Sequence, residues 1–273
     1  MSIYICPICH EKLGISGKSC VCPKGHSFDF ARSGYVNLLL SKHAGKTNHG
    51  DNKLMVRARR NFLDKGYYEP LCSQLCRLVT KLSPDEPVIL DAGCGEGYYT
   101  LAAASSLDKS GKSADIYGID VSRDAVDYAA RRSSTINYAV ASVFHIPVAD
   151  CSCDMLITLF APYSGEEYRR VLKKGGVMIM GIPSENHLWE LKKAVYDVPY
   201  KNEVRPYELD GFSFAGSRRV SYKMKLTSNE DILSLFSMTP YYYKTGKDGP
   251  ERLSRYETLE TQADFELLVY HKI

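Results

Sequence analysis

The chain has 273 residues, with 35 Lys and Arg against 32 Asp and Glu, and nine cysteines. That length exceeds one average domain. No apolar run approaches the ~18 residues of a membrane span, and Met1-Ser-Ile-Tyr-Ile-Cys-Pro7 carries neither a basic nor an apolar leader region, which reads as cytoplasmic.

The net charge of +3 is unevenly spread. Residues 1–70 carry 11 basic against 5 acidic side chains, and the remainder 24 against 27. Such asymmetry points to nucleic acid on the basic side, or to an ordinary solvated face. An odd number of cysteines in a cytoplasmic chain favours reduced or metal-bound thiols over disulfides.

Cys6-Pro-Ile-Cys9 is followed after twelve residues by Cys22-Pro-Lys-Gly-His26. Cys-x2-Cys-x12-Cys-x3-His has the ligand types and spacing of a closed structural zinc site, with no position open for catalysis. Cys6, Cys9, Cys22 and His26 are the expected ligands of one zinc ion. His10 and Cys20 are near enough to exchange with Cys9 or Cys22, but Pro23 after Cys22 matches Pro7 after Cys6 and favours the first set. So short a segment cannot bury a sufficient core, so the metal is expected to supply its folding energy. Next, Phe28, Phe30 and Tyr35 alternate with polar residues and Arg32, a pattern that fits stacking on unpaired bases. Packing within a small core is the alternative for each ring.

Ser41 to Gly50 is polar and glycine-rich, a linker or an RNA-facing loop. Asp51 reads as the N-cap of a basic helix reaching Lys65-Gly66. Met55, Arg59 and Phe62 share one of its faces, while Arg57 and Arg60 look elsewhere. Pro70 to Leu82 is a second helix with an apolar stripe of Leu71, Leu75, Leu78, Val79 and Leu82; Cys72 and Cys76 read as packing residues within it.

Val88-Ile-Leu90 is a short apolar run that reads as a buried strand. Asp91-Ala-Gly93-Cys-Gly95-Glu-Gly97 follows, and Tyr98 to Leu107 returns to a helical pattern. A strand, a glycine turn and a helix form the first βα unit of a nucleotide-binding sheet. Glycine is needed where the backbone turns tightly and lets a ligand approach. A dinucleotide phosphate loop is the competing reading, but the acid before Gly93 would repel a pyrophosphate and suits a cationic amino-acid group. The next strand, Asp115 to Asp120, ends in an acid placed for a ribose diol. Asp-x-Gly-x-Gly-x-Gly followed by Gly-Ile-Asp resembles the signature of class I S-adenosylmethionine (SAM)-dependent methyltransferases. That resemblance implies a Rossmann-like seven-stranded α/β sheet.

Further strands are expected at Ile136 to Ser142, Asp154 to Phe160, within Lys174 to Pro183, Arg218 to Leu226 and Phe265 to His271, the last being the antiparallel member. Ser122 to Ser133 and Asn229 to Met238 are helices, the second capped by Ser228. Where many class I enzymes hold adenine with an acid, this chain has Ala141-Ser142-Val143. The loop after the fourth strand, where amino-methyltransferases often carry Asn/Asp-Pro-Pro-Tyr, reads Phe160-Ala-Pro-Tyr163. This departure argues against an exocyclic amine and leaves a ring nitrogen open as acceptor. Tyr241, Tyr242 and Tyr243 beside Lys244 and Lys247 suit RNA stacking or plain packing.

The zinc quartet, Phe28 to Leu39, Gly50-Asp51, Ala58 to Leu63, Gly66-Tyr-Tyr-Glu-Pro-Leu71 and Asp91 to Thr100 occur in one order. Together with Pro183 to Lys192 they closely resemble the RlmA family of bacterial 23S rRNA guanine-N1-methyltransferases. The resemblance runs the whole chain. It implies methylation of an unpaired guanine in a 23S rRNA hairpin by a homodimer, and SAM contacts from Tyr68 and His187. The expected cofactor-binding set is Tyr68, Asp91, Gly93, Gly95, Glu96, Gly97, Asp120 and His187. The expected organisation is a zinc-binding RNA-recognition domain at 1–40, a linker and basic helix at 41–70 and the methyltransferase domain at 71–273. No proton acceptor for guanine N1 emerges; Asp51 and Glu185 are candidates, each with a structural alternative. The rival readings are methylation of a protein or small molecule, and a non-catalytic SAM- and RNA-binding module.

Overall fold

A computed structural model describes residues 2–43, 52–203, 207–245 and 248–273. β1 (Gly14–Ser16), β2 (Ser19–Val21) and β3 (Ser27–Asp29) form a small antiparallel sheet. Strand β4 (Val36–Asn37) leaves this module, followed by helices α1 (Lys53–Asp64) and α2 (Glu69–Leu82). The glycine turn lies between β5 (Val88–Ala92) and α3 (Tyr98–Lys109). Then come β6 (Asp115–Asp120), α4 (Arg123–Arg132), β7 (Asn137–Val140), β8 (Cys153–Leu159) and α5 (Gly165–Val171). The chain continues through β9 (Leu172–Pro183), α6 (Trp189–Val195), β10 (Phe212–Leu226) and α7 (Asn229–Ser237). Two short helices, α8 (Tyr241–Thr245) and α9 (Asp248–Leu253), precede β11 (Leu259–Lys272).

The large sheet has the order β10-β11-β9-β8-β5-β6-β7-β4. β11 is antiparallel to both its neighbours and every other pairing is parallel. Seven of these strands are the expected class I sheet. The eighth, β4, comes from the N-terminal module and pairs through Val36 with Ala139 and through Asn37 with Val140. Central strands are apolar on both faces, as a sheet covered on two sides requires; Ile89, Leu90, Leu156, Met178 and Ile179 are fully buried.

One face packs against α2, α3 and α7; the other receives Tyr4, Cys6, Leu13 and Leu38 from the N-terminal module. Tyr4 stands edge-on to Tyr117 with ring centroids 5.2 Å apart, and its hydroxyl donates to the Asn137 carbonyl at 2.9 Å. The backbone NH of Ile5 donates to the Pro147 carbonyl at 3.0 Å. No helix among the described residues is long and apolar enough to cross a membrane.

Several local expectations change. Asp51 lies outside the described residues, and the cap of α1 is Asn52, whose Oδ1 accepts from the backbone NH groups of Leu54 and Met55 at 3.0 and 3.1 Å. Met55, Val56, Phe62 and Leu63 form the buried face of α1. Arg59 reaches the Met238 carbonyl at 3.3 Å, whereas Arg57 is exposed. Tyr35 is buried, its hydroxyl accepting from Arg123 Nε at 2.9 Å, so that ring is packing rather than a stacking surface. Tyr241 is buried and Tyr243 exposed, while Lys247 lies outside the described residues. β10 and β11 are each longer than the alternation predicts, and their paired ends run beyond β9, with Phe265 level with Pro183.

Candidate cofactor cleft and zinc centre

The four predicted ligands come together: Cys6 Sγ, Cys9 Sγ, Cys22 Sγ and a His26 ring nitrogen all lie within 4.8 Å of one another. Cys6 Sγ and Cys22 Sγ stand 3.5 and 3.4 Å from His26 Nδ1, and Cys9 Sγ is 3.6 Å from Cys22 Sγ. A tetrahedral zinc with Zn–S of ~2.3 Å and Zn–N of ~2.0 Å has ligand-to-ligand edges of ~3.5–3.8 Å, so the quartet matches the ion. Each pair sits on a turn containing a left-handed residue, His10 at φ 61° in the first and Gly25 at φ 83° in the second. His10 therefore serves the turn, and Cys20 is buried within β2. Burial works against ionisation of Cys22. The backbone NH groups of His26 and Lys24, with the side chains of Cys9 and His26, outweigh it and lower the thiol to about 6, which favours the thiolate a metal needs.

The glycine turn is built by three different demands. All three glycines have positive φ: 90° at Gly93, 55° at Gly95 and 85° at Gly97. A Cβ on Gly93 would stand 2.4 Å from Ala161 Cβ, and one on Gly97 would stand 2.9 Å from Ala129 Cβ and 3.0 Å from Tyr138 Oη. A Cβ on Gly95 would meet nothing within 4 Å, so its backbone borders open space where a ligand can approach. The backbone NH of Gly95 donates to Asp120 Oδ2 at 3.0 Å, and that of Ser122 to Asp120 Oδ1 at 2.8 Å. The acid at the end of β6 therefore fixes the turn as well as the start of α4.

Asp91 is buried at the end of β5 and accepts from Thr100 Oγ1 at 2.6 Å. Burial, with the charge of Asp120 beside it, pushes its carboxyl up to about 7. Glu96 is also buried, and burial raises it; its Oε2 pairs with Arg132 and its Oε1 has no hydrogen-bond partner. Arg132 reaches on to Asp64 of α1 at 2.7 Å. Tyr138 Oη, beside Gly97, is a second buried oxygen without a partner. Cys94 is buried within the turn, a small residue beside Gly118. Two carboxylates, an open glycine and unsatisfied polar atoms form a donor set that fits the amino-acid and ribose ends of SAM.

Tyr68 and His187 stand near each other, with ring centroids 6.3 Å apart. Both pack on Phe265, at 4.9 and 4.4 Å. His187 Nδ1 accepts from the Asp264 backbone NH at 3.2 Å, so Nε2 carries the proton of the neutral ring. Burial pulls its pKa down to about 3 against the opposing charge of Asp264, which is itself held low by Arg219. Glu185 is exposed and paired with Lys201 at 2.9 Å. Ser142 takes no acid's role; its Oγ accepts from the Phe144 NH at 3.2 Å. The Glu96–Arg132–Asp64 chain was not legible in the sequence, where Arg131-Arg132 reads as an ordinary basic helix end.

Residues 4–44 match the family model described as RlmA, N-terminal, a zinc ribbon, and residues 84–211 match a methyltransferase domain. The Bacillus subtilis protein YxjB, named for 23S rRNA (guanine-N1) methyl transfer, is 32% identical over 276 residues, covering 98% of this chain and 96% of its own. A Streptomyces fradiae 23S rRNA (guanine(748)-N1)-methyltransferase is 34% identical over 197 residues, 70% of this chain and 66% of its own. The methyltransferase fold recurs in a structure from Bacillus halodurans with a TM-score of 0.50 and 16% identity, covering 73% of this chain and 99% of that one. With the zinc quartet, the seven-stranded sheet and the full-length match in view, the chain belongs to the RlmA-type family of 23S rRNA (guanine-N1)-methyltransferases.

Proposed function

We infer that the protein transfers a methyl group from SAM to N1 of an unpaired guanine in a hairpin of 23S rRNA. The observation that carries this reading is the union, in one chain, of the zinc module and the methyltransferase sheet, matched end to end by a relative named for that reaction. When bound, SAM supplies an electrophilic methyl on its sulfonium.

The cofactor-binding residues of this reading are Tyr68, Asp91, Gly93, Gly95, Glu96, Gly97, Asp120 and His187. Asp91 pairs with the ammonium of the amino-acid end, which requires its ionised form. Asp120, at the end of β6, takes the ribose hydroxyls, and Gly95 lets the backbone lie against the cofactor. Tyr68 and His187 bound the opening from the side of β11. Guanine N1 bears a proton and lies on the pairing edge. The acceptor must therefore be in a loop or be turned out of a pair, at a cost of a few kcal/mol. Positioning of two bound reactants supplies much of the rate.

Residues 1–40 serve as the RNA-recognition module, 41–70 as linker and basic helix, and 71–273 as the methyltransferase domain. The excess of basic side chains before residue 70 supports that division. The protein works in the cytoplasm as a homodimer, as the family resemblance implies. The test is methyl transfer from labelled SAM to unmodified 23S rRNA, with primer extension to map the product. N1-methylguanine cannot pair and stops reverse transcriptase, so one new stop in a hairpin supports the reading. SAM binding without label in RNA refutes it and directs the search to protein or small-molecule acceptors.

A further inference from the structure

We propose that Phe160 is the platform on which the acceptor guanine stacks, a specificity-determining contact of the methyl-transfer site. The inference rests on the guanine-methylation reading above. Phe160 is the first residue after β8, at the carboxyl end of a central strand, where ligands of such sheets bind. Its φ is 59°, a left-handed conformation that a bulky side chain adopts only under constraint. Strained residues of this kind concentrate at ligand sites. The backbone NH donates to the Gly181 carbonyl at 3.1 Å, which fixes the turn.

Phe160 is 41% exposed, although it stands beside a buried aromatic residue. Its centroid is 5.6 Å from that of Phe265, which in turn touches His187 and Tyr68. The next residue, Ala161, lies against Gly93, so Phe160 adjoins the cofactor turn. The loop's other aromatic residue, Tyr163, is 39% exposed; it lies edge-on to Tyr168 at 5.6 Å with its hydroxyl over Gly165, two residues further along the loop than Ala161. An open, fixed aromatic ring next to the methyl donor's cradle is what a base needs once it has left its own stack.

The experiment compares Phe160→Tyr, Phe160→Leu and Phe160→Gly with the wild-type protein. It measures kcat/KM on an unmodified 23S rRNA hairpin transcript, SAM affinity by calorimetry and the melting transition. Stacking of a base on an aromatic ring is worth about 5- to 150-fold. Phe160→Leu and Phe160→Gly should therefore lose kcat/KM within that range, Phe160→Tyr should restore it, and SAM affinity should hold. Glycine accepts the left-handed φ, so backbone strain cannot account for a loss in Phe160→Gly, and the melting transition reports any loss of packing against Phe265. Wild-type kcat/KM in the Leu or Gly variant, or a loss of SAM affinity that matches the loss of rate, would overturn the platform role. An inert wild-type protein would instead refute the underlying reading.

Discussion

Asp91→Asn separates stability from cofactor binding in a way that can be worked through. The Asp91 carboxyl is 3% exposed, and burial with the Asp120 charge raises it from 3.8 to about 7. An acid raised in this way stabilises the fold fully below its unfolded value, and that contribution is lost as pH rises through about 7. The shift spans ~3 pH units at ~1.4 kcal/mol each, roughly 4 kcal/mol. Asparagine keeps an oxygen for Thr100 and has nothing to ionise. The variant's advantage over wild type should grow between about pH 4 and 7 and level off above. At ~2–4 °C per kcal/mol for a chain of this size, the difference in melting temperature should widen by roughly 3–6 °C per pH unit. SAM should raise the melting temperature of the wild-type protein and leave that of Asp91→Asn unchanged, because the ammonium has lost its counter-charge. Melts of both proteins at about pH 5, 6, 7 and 8, with and without SAM, test this. A pH-independent difference, or an Asp91→Asn protein still stabilised by SAM, would refute the argument.

Arg132→Ala leaves the buried Glu96 carboxylate unpaired and should cost about 3–5 kcal/mol by urea denaturation. Adding Glu96→Gln should recover much of that loss. Gly95→Arg places a long cation at a left-handed position that borders open space and should abolish SAM binding, read by calorimetry. Zinc chelation, or Cys6→Ser, should unfold the N-terminal sheet and weaken rRNA binding by far more than SAM binding. Unchanged RNA affinity after chelation would remove the zinc argument.

The sheet was legible because its strands carry strong local signals. Val88-Ile-Leu90 and Met155-Leu-Ile157 are continuous apolar runs, and the three glycines punctuate the first turn. The ends of β10 and β11 were underestimated because Leu259, Thr261 and Ala263 alternate with polar residues too weakly to stand out from a loop. The zinc ligands were readable because metal chemistry fixes both residue type and spacing. What spacing cannot carry is contact across long separations. Arg132 meets Glu96 and Asp64 from another helix, and β4 finds its partner about a hundred residues away in β7. Phe160 sits in a loop whose sequence bears on the acceptor atom, but its φ and exposure appear only once the chain is folded.

The junction of the two modules is short and central to the cofactor site. Val140 of β7 pairs with Asn37 of β4 on one side and with Asp120 of β6 on the other. At ~4.8 Å between strands, the acid at the end of β6 lies only ~10 Å from the strand that leaves the zinc module. A second link runs through side chains, from Asp64 of α1 through Arg132 to Glu96 of the glycine turn. β4 also covers what would otherwise be the open edge of β7, where unpaired backbone groups invite foreign strands. The basic N-terminal region is thus tied to the sheet at the strand and the turn that frame the cofactor cleft. A displacement of β4 reaches Asp120 through one intervening strand, and a displacement of α1 reaches Glu96 through one side chain, Arg132.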